Sequence, residues 1–121
     1  MGKSVLYIED EAFFRKIISQ ELAKNGFKTD LASDGEEGIV ALKKKKYDVI
    51  LLDLVLPAVG GFDVLRALSS ITENSKTPVL VLSNLSSEGD ERTAKELGAR
   101  AFCVKMNTTP AQILALVNDI A

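Results

Sequence analysis

At 121 residues, with 46 % hydrophobic and 26 % charged positions, the chain has the size and mix of one globular domain, which excludes a disordered tail, a collagen or a coiled coil. Lys and Arg total 15 against 17 Asp and Glu, a net charge of −2, which argues against nucleic acid as the main partner because phosphate-backbone binding draws on clustered positive charge. The absence of His removes Ser-His-Asp triads, Cys-His pairs and His-ligated zinc, and the single Cys103 cannot form an intramolecular disulfide, which fits a reducing cytoplasm.

The opening Met1-Gly2-Lys3-Ser4-Val5-Leu6 has no signal-peptide apolar region and no myristoylation motif, and no apolar run approaches the roughly 18 residues of a membrane span. The first strand is predicted at Ser4 to Ile8. Phe14, Ile17, Ile18 and Leu22 then recur at helical spacing, and Gly26 closes that helix. A second strand at Lys28 to Ala32 leads to Ser33-x-x-Glu36, which reads as a capping box, and Lys43 to Lys46 read as the solvated end of the second helix. The third strand, Asp48 to Leu52, and the fourth, Pro78 to Leu82, are continuously apolar, as expected of parallel strands covered on both faces.

A fourth helix, about Ser87 to Leu97, has only Ala94 and Leu97 as apolar residues and contains Gly89. It is either the least anchored helix and the readiest to shift, or a plain solvated surface helix. Gly98 closes it, the fifth strand spans Ala101 to Val104, and Thr109-Pro110-x-Gln112 caps a last helix that buries Ile113, Leu116, Val117 and Ile120 and runs to Ala121. Five strands alternating with five helices predict a doubly wound parallel α/β sheet over residues 1–121, with no output domain.

Ligand sites in such sheets gather at the carboxyl ends of the strands. Here those ends present Glu9 and Asp10, Asp53, Ser83 and Lys105. Each has a bland reading: Asp10 and Glu11 favour a helix N-terminus, Ser83 starts a loop, Lys105 lies on the surface. Asp53 resists one, because a carboxylate following Val49 to Leu52 is costly unless paired or metal-bound. One divalent cation together with Lys105 balances Glu9, Asp10 and Asp53, and an all-oxygen set predicts Mg²⁺. Such a site suits phosphoryl chemistry, with a carboxylate as nucleophile forming an acyl phosphate.

Tyr7-Ile8-Glu9-Asp10-Glu11, Leu51-Leu52-Asp53-Leu54-Val55-Leu56-Pro57 with Gly61 following, Leu82-Ser83-Asn84 and Phe102-Cys103-Val104-Lys105 together resemble the receiver domain of bacterial-type response regulators, over essentially the whole chain. The resemblance implies the flavodoxin-like strand order 2-1-3-4-5. It makes Asp53 the acceptor of a phosphoryl group from a histidine kinase or phosphotransfer protein. Asp10 becomes a direct Mg²⁺ ligand, Glu9 an outer one, and the Val55 carbonyl completes the protein ligands. Ser83 and Lys105 hold the phosphoryl oxygens, Phe102 is the aromatic switch residue, and the fourth helix, fifth strand and fifth helix signal to a separate target protein. The implied chain is a cytoplasmic signalling module rather than a metabolic enzyme, a monomer or a phosphorylation-dependent dimer, acting without direct nucleic-acid or membrane contact.

Two departures from the family pattern carry expectations. Met106 stands where the family has Pro after the lysine, and a cis bond there would cost roughly 2.5 to 4 kcal/mol, so the Lys105–Met106 peptide is expected trans, or else strained cis. Val55 and Leu85 are apolar where the family flanks the route of attacking water, which predicts a comparatively long-lived phosphoaspartate. Among rivals, a haloacid-dehalogenase-type phosphatase wants a second Asp where Val55 stands. A flavodoxin-like cofactor binder wants a phosphate loop where Glu9-Asp10-Glu11 would repel one. The alternative that stays open is a receiver-like interaction module working without phosphorylation.

Overall fold

Apolar side chains at consecutive strand positions need cover on both faces, and the chain supplies it by alternating strands with crossover helices. The computed structural model describes residues 2–84 and 88–121. In chain order the elements are β1 (Ser4–Ile8), α1 (Ala12–Lys24), β2 (Lys28–Ala32), α2 (Gly35–Lys44), β3 (Val49–Leu52), α3 (Gly61–Leu68), β4 (Val79–Ser83), α4 (Glu88–Glu96), β5 (Ala101–Val104), a 3₁₀ turn (Lys105–Asn107) and α5 (Pro110–Ile120). The strands are parallel, in the order β2-β1-β3-β4-β5, as the resemblance implied.

The two faces of the sheet carry two apolar layers. Leu6, Ile8, Ile50, Leu52, Val79 and Val81 join Leu42 of α2, Val64, Leu65 and Leu68 of α3 and Ala94 of α4 in one. Val5, Tyr7, Val49, Leu51, Leu80 and Leu82 join Ile18 and Leu22 of α1 and Ile113 and Val117 of α5 in the other. Along β1, β3 and β4 the side chains alternate between these layers, the period of two that a continuous apolar run conceals.

The helix signals fared unevenly. Thr109 and Gln112 form the expected reciprocal cap, with Pro110 in the first turn. The cap of α2 is instead Asp34, whose Oδ1 accepts from the Glu37 amide at 2.8 Å, while the Ser33 hydroxyl donates to the Glu37 carboxylate. Asp34 stands three residues before Glu37 and so reaches an amide of the first turn, which corrects the Ser33 assignment. Gly26 and Gly98 take φ of 87° and 110°, the left-handed conformation that favours glycine after a helix.

Asp48 falls just outside β3, its Oδ2 accepting from the Ser4 amide at 2.7 Å, and β4 begins after Pro78 and extends through Ser83. Of the fourth helix, Ser87 lies outside the described residues; from Glu88 onward Ala94 is buried and Leu97, just past the helix, packs against the first apolar layer. Among the described residues no helix is long and apolar enough to cross a membrane.

Candidate functional site

Strand register assembles the site. Ile8 pairs with Leu52, so the next residues of the two strands, Glu9 and Asp53, emerge side by side, and the Asp53 amide donates to the Ile8 carbonyl at 3.1 Å. Ser83 pairs with Val104, which places Lys105 one step beyond the end of β4. Four sequence-distant segments thus meet at the carboxyl edge of the sheet, where strand order reverses between β1 and β3.

Carboxylate oxygens of Glu9, Asp10, Glu11 and Asp53 lie within 4.8 Å of one another. Lys105 reaches into this group: its Nζ is 2.7 Å from Glu9 Oε1, 3.0 Å from Asp53 Oδ2 and 3.5 Å from Glu11 Oε1. The Lys105 side chain is only 2 % exposed, and that of Glu9 is fully buried. An ammonium has three donors, and these contacts supply three acceptors. Asp10 and Glu11, by contrast, are solvent-exposed at the mouth of the cluster.

The electrostatics follow from burial. Burial raises the Glu9 carboxyl above the ordinary carboxylate range and the charge of Asp53 adds to this, while the hydrogen bond from Lys105 pulls the other way without cancelling it. Tyr7, directly beneath, donates its phenol to Glu9 Oε1 at 3.0 Å, and burial raises the phenol well above its usual range. Burial alone would lower Lys105, but its hydrogen bonds to Glu9 and Asp53 outweigh that and hold it raised, hence charged.

The loop after β3 is fixed by close approach. The Val55 amide donates to Asp53 Oδ1 at 3.2 Å, and Val55 itself is 55 % exposed. At Gly61 a methyl group would be driven into the Asp53 carbonyl and the Leu54 Cα, so only glycine lets α3 start this near the site. On the other side, the Lys105–Met106 peptide is trans and leads directly into the 3₁₀ turn. The Met106 amide, which a proline would lack, donates to Asn84 Oδ1 at 3.1 Å and ties the segment after β4 to the one after β5.

Glu9, Asp10, Asp53 and Lys105 therefore come together as the sequence predicted. Ser83 is buried at the end of β4, and Phe102 is half-buried on β5 against the apolar layer that includes Ala94. Leu85 lies outside the described residues. Sequence reasoning missed two neighbours. Glu11 has the position of a helix-end charge yet joins the cluster, giving it one more negative charge than Glu9, Asp10 and Asp53 alone. Phe14 was placed by spacing with the apolar face of α1, yet its ring lies 4.4 Å from Lys105 Nζ. A set of hard carboxylate oxygens around one point, with excess negative charge, fits Mg²⁺, which prefers oxygen ligands, and does not suit a soft metal.

The chain matches the response regulator receiver domain family over residues 5–118. The probable transcriptional regulator ycf27 of Guillardia theta is 35 % identical over 103 residues, covering 85 % of this chain and 39 % of that protein. The chain spans less than half the length of the first curated relatives it matches. Chemotaxis protein CheY4 of Vibrio cholerae superposes with a TM-score of 0.93 at 26 % identity, covering 100 % of both chains. The receiver domain of sensor histidine kinase PA1611 from Pseudomonas aeruginosa PAO1, solved with a magnesium ion coordinated in its active site cleft, has the same fold at a TM-score of 0.90 and 22 % identity, covering 99 % of this chain and 98 % of that one.

Proposed function

This chain belongs to the response regulator receiver domain family of two-component signalling, and on that premise we propose that Asp53 accepts a phosphoryl group from the phosphohistidine of a histidine kinase or phosphotransfer protein. The observation that carries the reading is the buried Lys105 ammonium 3.0 Å from Asp53 Oδ2, within a carboxylate cluster at the strand ends.

In the proposed step a carboxylate oxygen of Asp53 attacks phosphorus in line with the leaving imidazole nitrogen. The new O–P bond forms as the N–P bond breaks, and the imidazole keeps the electron pair. Lys105 turns from the carboxylates to an equatorial phosphoryl oxygen, and the Ser83 hydroxyl donates to another. Asp10, Asp53 and the Val55 carbonyl are the proposed direct Mg²⁺ ligands, with Glu9, already held by Lys105 and Tyr7, in an outer role. Bound Mg²⁺ supplies charge neutralisation at the phosphoryl oxygens. The magnesium ion coordinated in the active site cleft of the PA1611 receiver domain supports the choice of metal.

Phosphorylation replaces one carboxylate charge with a dianion, which Ser83 and Lys105 can pair. Phe102 then turns inward, and the surface of α4, β5 and α5 changes for a separate partner. The sparse apolar content of α4, whose buried residue is Ala94, supports its part in this. Beryllofluoride, a mimic of the phosphoryl group, tests the reading. Bound fluorine resonances that require both Mg²⁺ and Asp53 are expected, and their persistence in Asp53→Asn would count against it.

A further inference from the structure

Phe14 sits in the first turn of α1, four residues before buried Ile18 on the same helix face. It belongs to neither apolar layer, although Ile17, Ile18 and Leu22 all join the layer beneath α1. Side chains on a helix lean toward its N-terminus, and that lean carries the Phe14 ring out over the site edge instead of down into the core. There the ring meets the Lys105 ammonium, 4.4 Å from its centroid, and stands edge-on to Phe13 at 5.9 Å between ring centroids.

We propose that Phe14 is a positioning residue for phosphoryl transfer: its ring face holds the Lys105 ammonium against Asp53 and keeps water from it. The inference rests on the proposed phosphorylation of Asp53. The carboxylates of Glu9, Asp53 and Glu11 take the three N–H directions, and the ring supplies a fourth wall that attracts the cation without accepting a proton or competing for the phosphoryl group. An ammonium shielded in this way stabilises developing charge more strongly than a hydrated one, and sheds no water when it turns from the carboxylates to the phosphoryl group. An aliphatic side chain of similar volume would fill the space but lacks the negative ring face.

The test compares wild type with Phe14→Leu and Phe14→Tyr. It measures the phosphorylation rate at saturating acetyl phosphate and the Mg²⁺ concentration for half-saturation. Phe14→Leu should slow the rate roughly three- to tenfold, while Phe14→Tyr, which keeps the ring face, stays within about twofold of wild type. The Mg²⁺ half-saturation should move in neither variant, since both leave the proposed ligands to the ion in place, and Phe14→Leu should lower the melting temperature by no more than about the few degrees that loss of one cation–π contact implies. The ε-methylene protons of Lys105 should show an upfield ring-current shift in wild type and Phe14→Tyr that Phe14→Leu loses. A Phe14→Leu protein as fast as wild type, or a Phe14→Tyr protein as slow as Phe14→Leu, would overturn the role of the ring. A wild-type protein that gains no phosphoryl group would remove the functional reading itself, and the positioning role with it.

Discussion

Lys105 and Asp53, 52 residues apart in sequence, meet with Nζ 3.0 Å from Oδ2, the lysine side chain 2 % and the aspartate side chain 4 % exposed. The pairing is a product of strand register: each residue is the first beyond its strand, at the same edge of the sheet. Each is the other's counter-charge at hydrogen-bond distance, and Lys105 makes a further bond to Glu9 at 2.7 Å that offsets the cost of burying the ammonium.

Removing the lysine charge should therefore be costly before any phosphoryl chemistry. Lys105→Met leaves Glu9 and Asp53 buried without their cation, and we expect a loss of roughly 3 to 5 kcal/mol in unfolding free energy without Mg²⁺. Saturating Mg²⁺ should restore part of it, since a ligand that binds only the folded state stabilises it by mass action. Urea denaturation with and without the ion measures both, and an unchanged midpoint in chelator would contradict the expectation.

Tyr7 should report on the ion. The chain has no Trp, and the Tyr7 phenol donates to Glu9 Oε1 at 3.0 Å, so a change in Glu9 should alter tyrosine fluorescence. Tyr7→Phe should abolish the Mg²⁺ response and Tyr47→Phe should leave it. Because burial raises Glu9, the ion-free folded protein holds a proton that the unfolded chain has released, so this group's contribution to stability falls as pH rises from about 4.3 through the raised value. Bound Mg²⁺ favours the deprotonated carboxylate, and its affinity should rise over the same interval. A flat pH profile of affinity would contradict the role given to Glu9.

Much of this was legible in the sequence, and the rest has identifiable reasons for being hidden. Continuous apolar runs ending in Asp53 and Ser83 announced covered parallel strands with polar ends, and Glu9, Asp10 and Lys105 completed the set. Phe14 misled because helical spacing reports which face a residue occupies but cannot say where that face runs out of core. Glu11 meets Lys105 across 94 residues, a contact with no local signature. At α2, two adjacent residues could both cap, and the choice of Asp34 over Ser33 depended on which side chain could reach the Glu37 amide.

Asn74 was hidden for the same reason, as a single polar residue in a loop. It is 1 % exposed, accepts from the Tyr47 amide at 2.8 Å and donates to the carbonyls of Leu42 and Lys45, both at 2.7 Å. Asn74→Ala would strand these buried backbone groups, and we expect a loss of about 3 kcal/mol. The rate of phosphoryl acceptance, measured well below the melting transition, should not change. A stable Asn74→Ala protein would show that the loop re-forms its bonds elsewhere.

The lifetime of the phosphorylated state should respond to Val55, whose exposed apolar side chain stands two residues beyond Asp53 and cannot orient water. Val55→Asn should hasten decay of the phosphoprotein severalfold without altering its formation. Equal decay rates for variant and wild type would mean that water reaches the acyl phosphate by another route.

The central claim is that Asp53 is the phosphoryl acceptor and Mg²⁺ is required, and intact mass after incubation with acetyl phosphate tests it most directly. Wild type with Mg²⁺ should gain the mass of one phosphoryl group, while Asp53→Asn with Mg²⁺ and wild type with chelator gain none. A folded wild-type protein that binds Mg²⁺ and still gains no mass, or an Asp53→Asn protein that gains it equally, would contradict the account, the first outcome favouring an interaction module that works without phosphorylation.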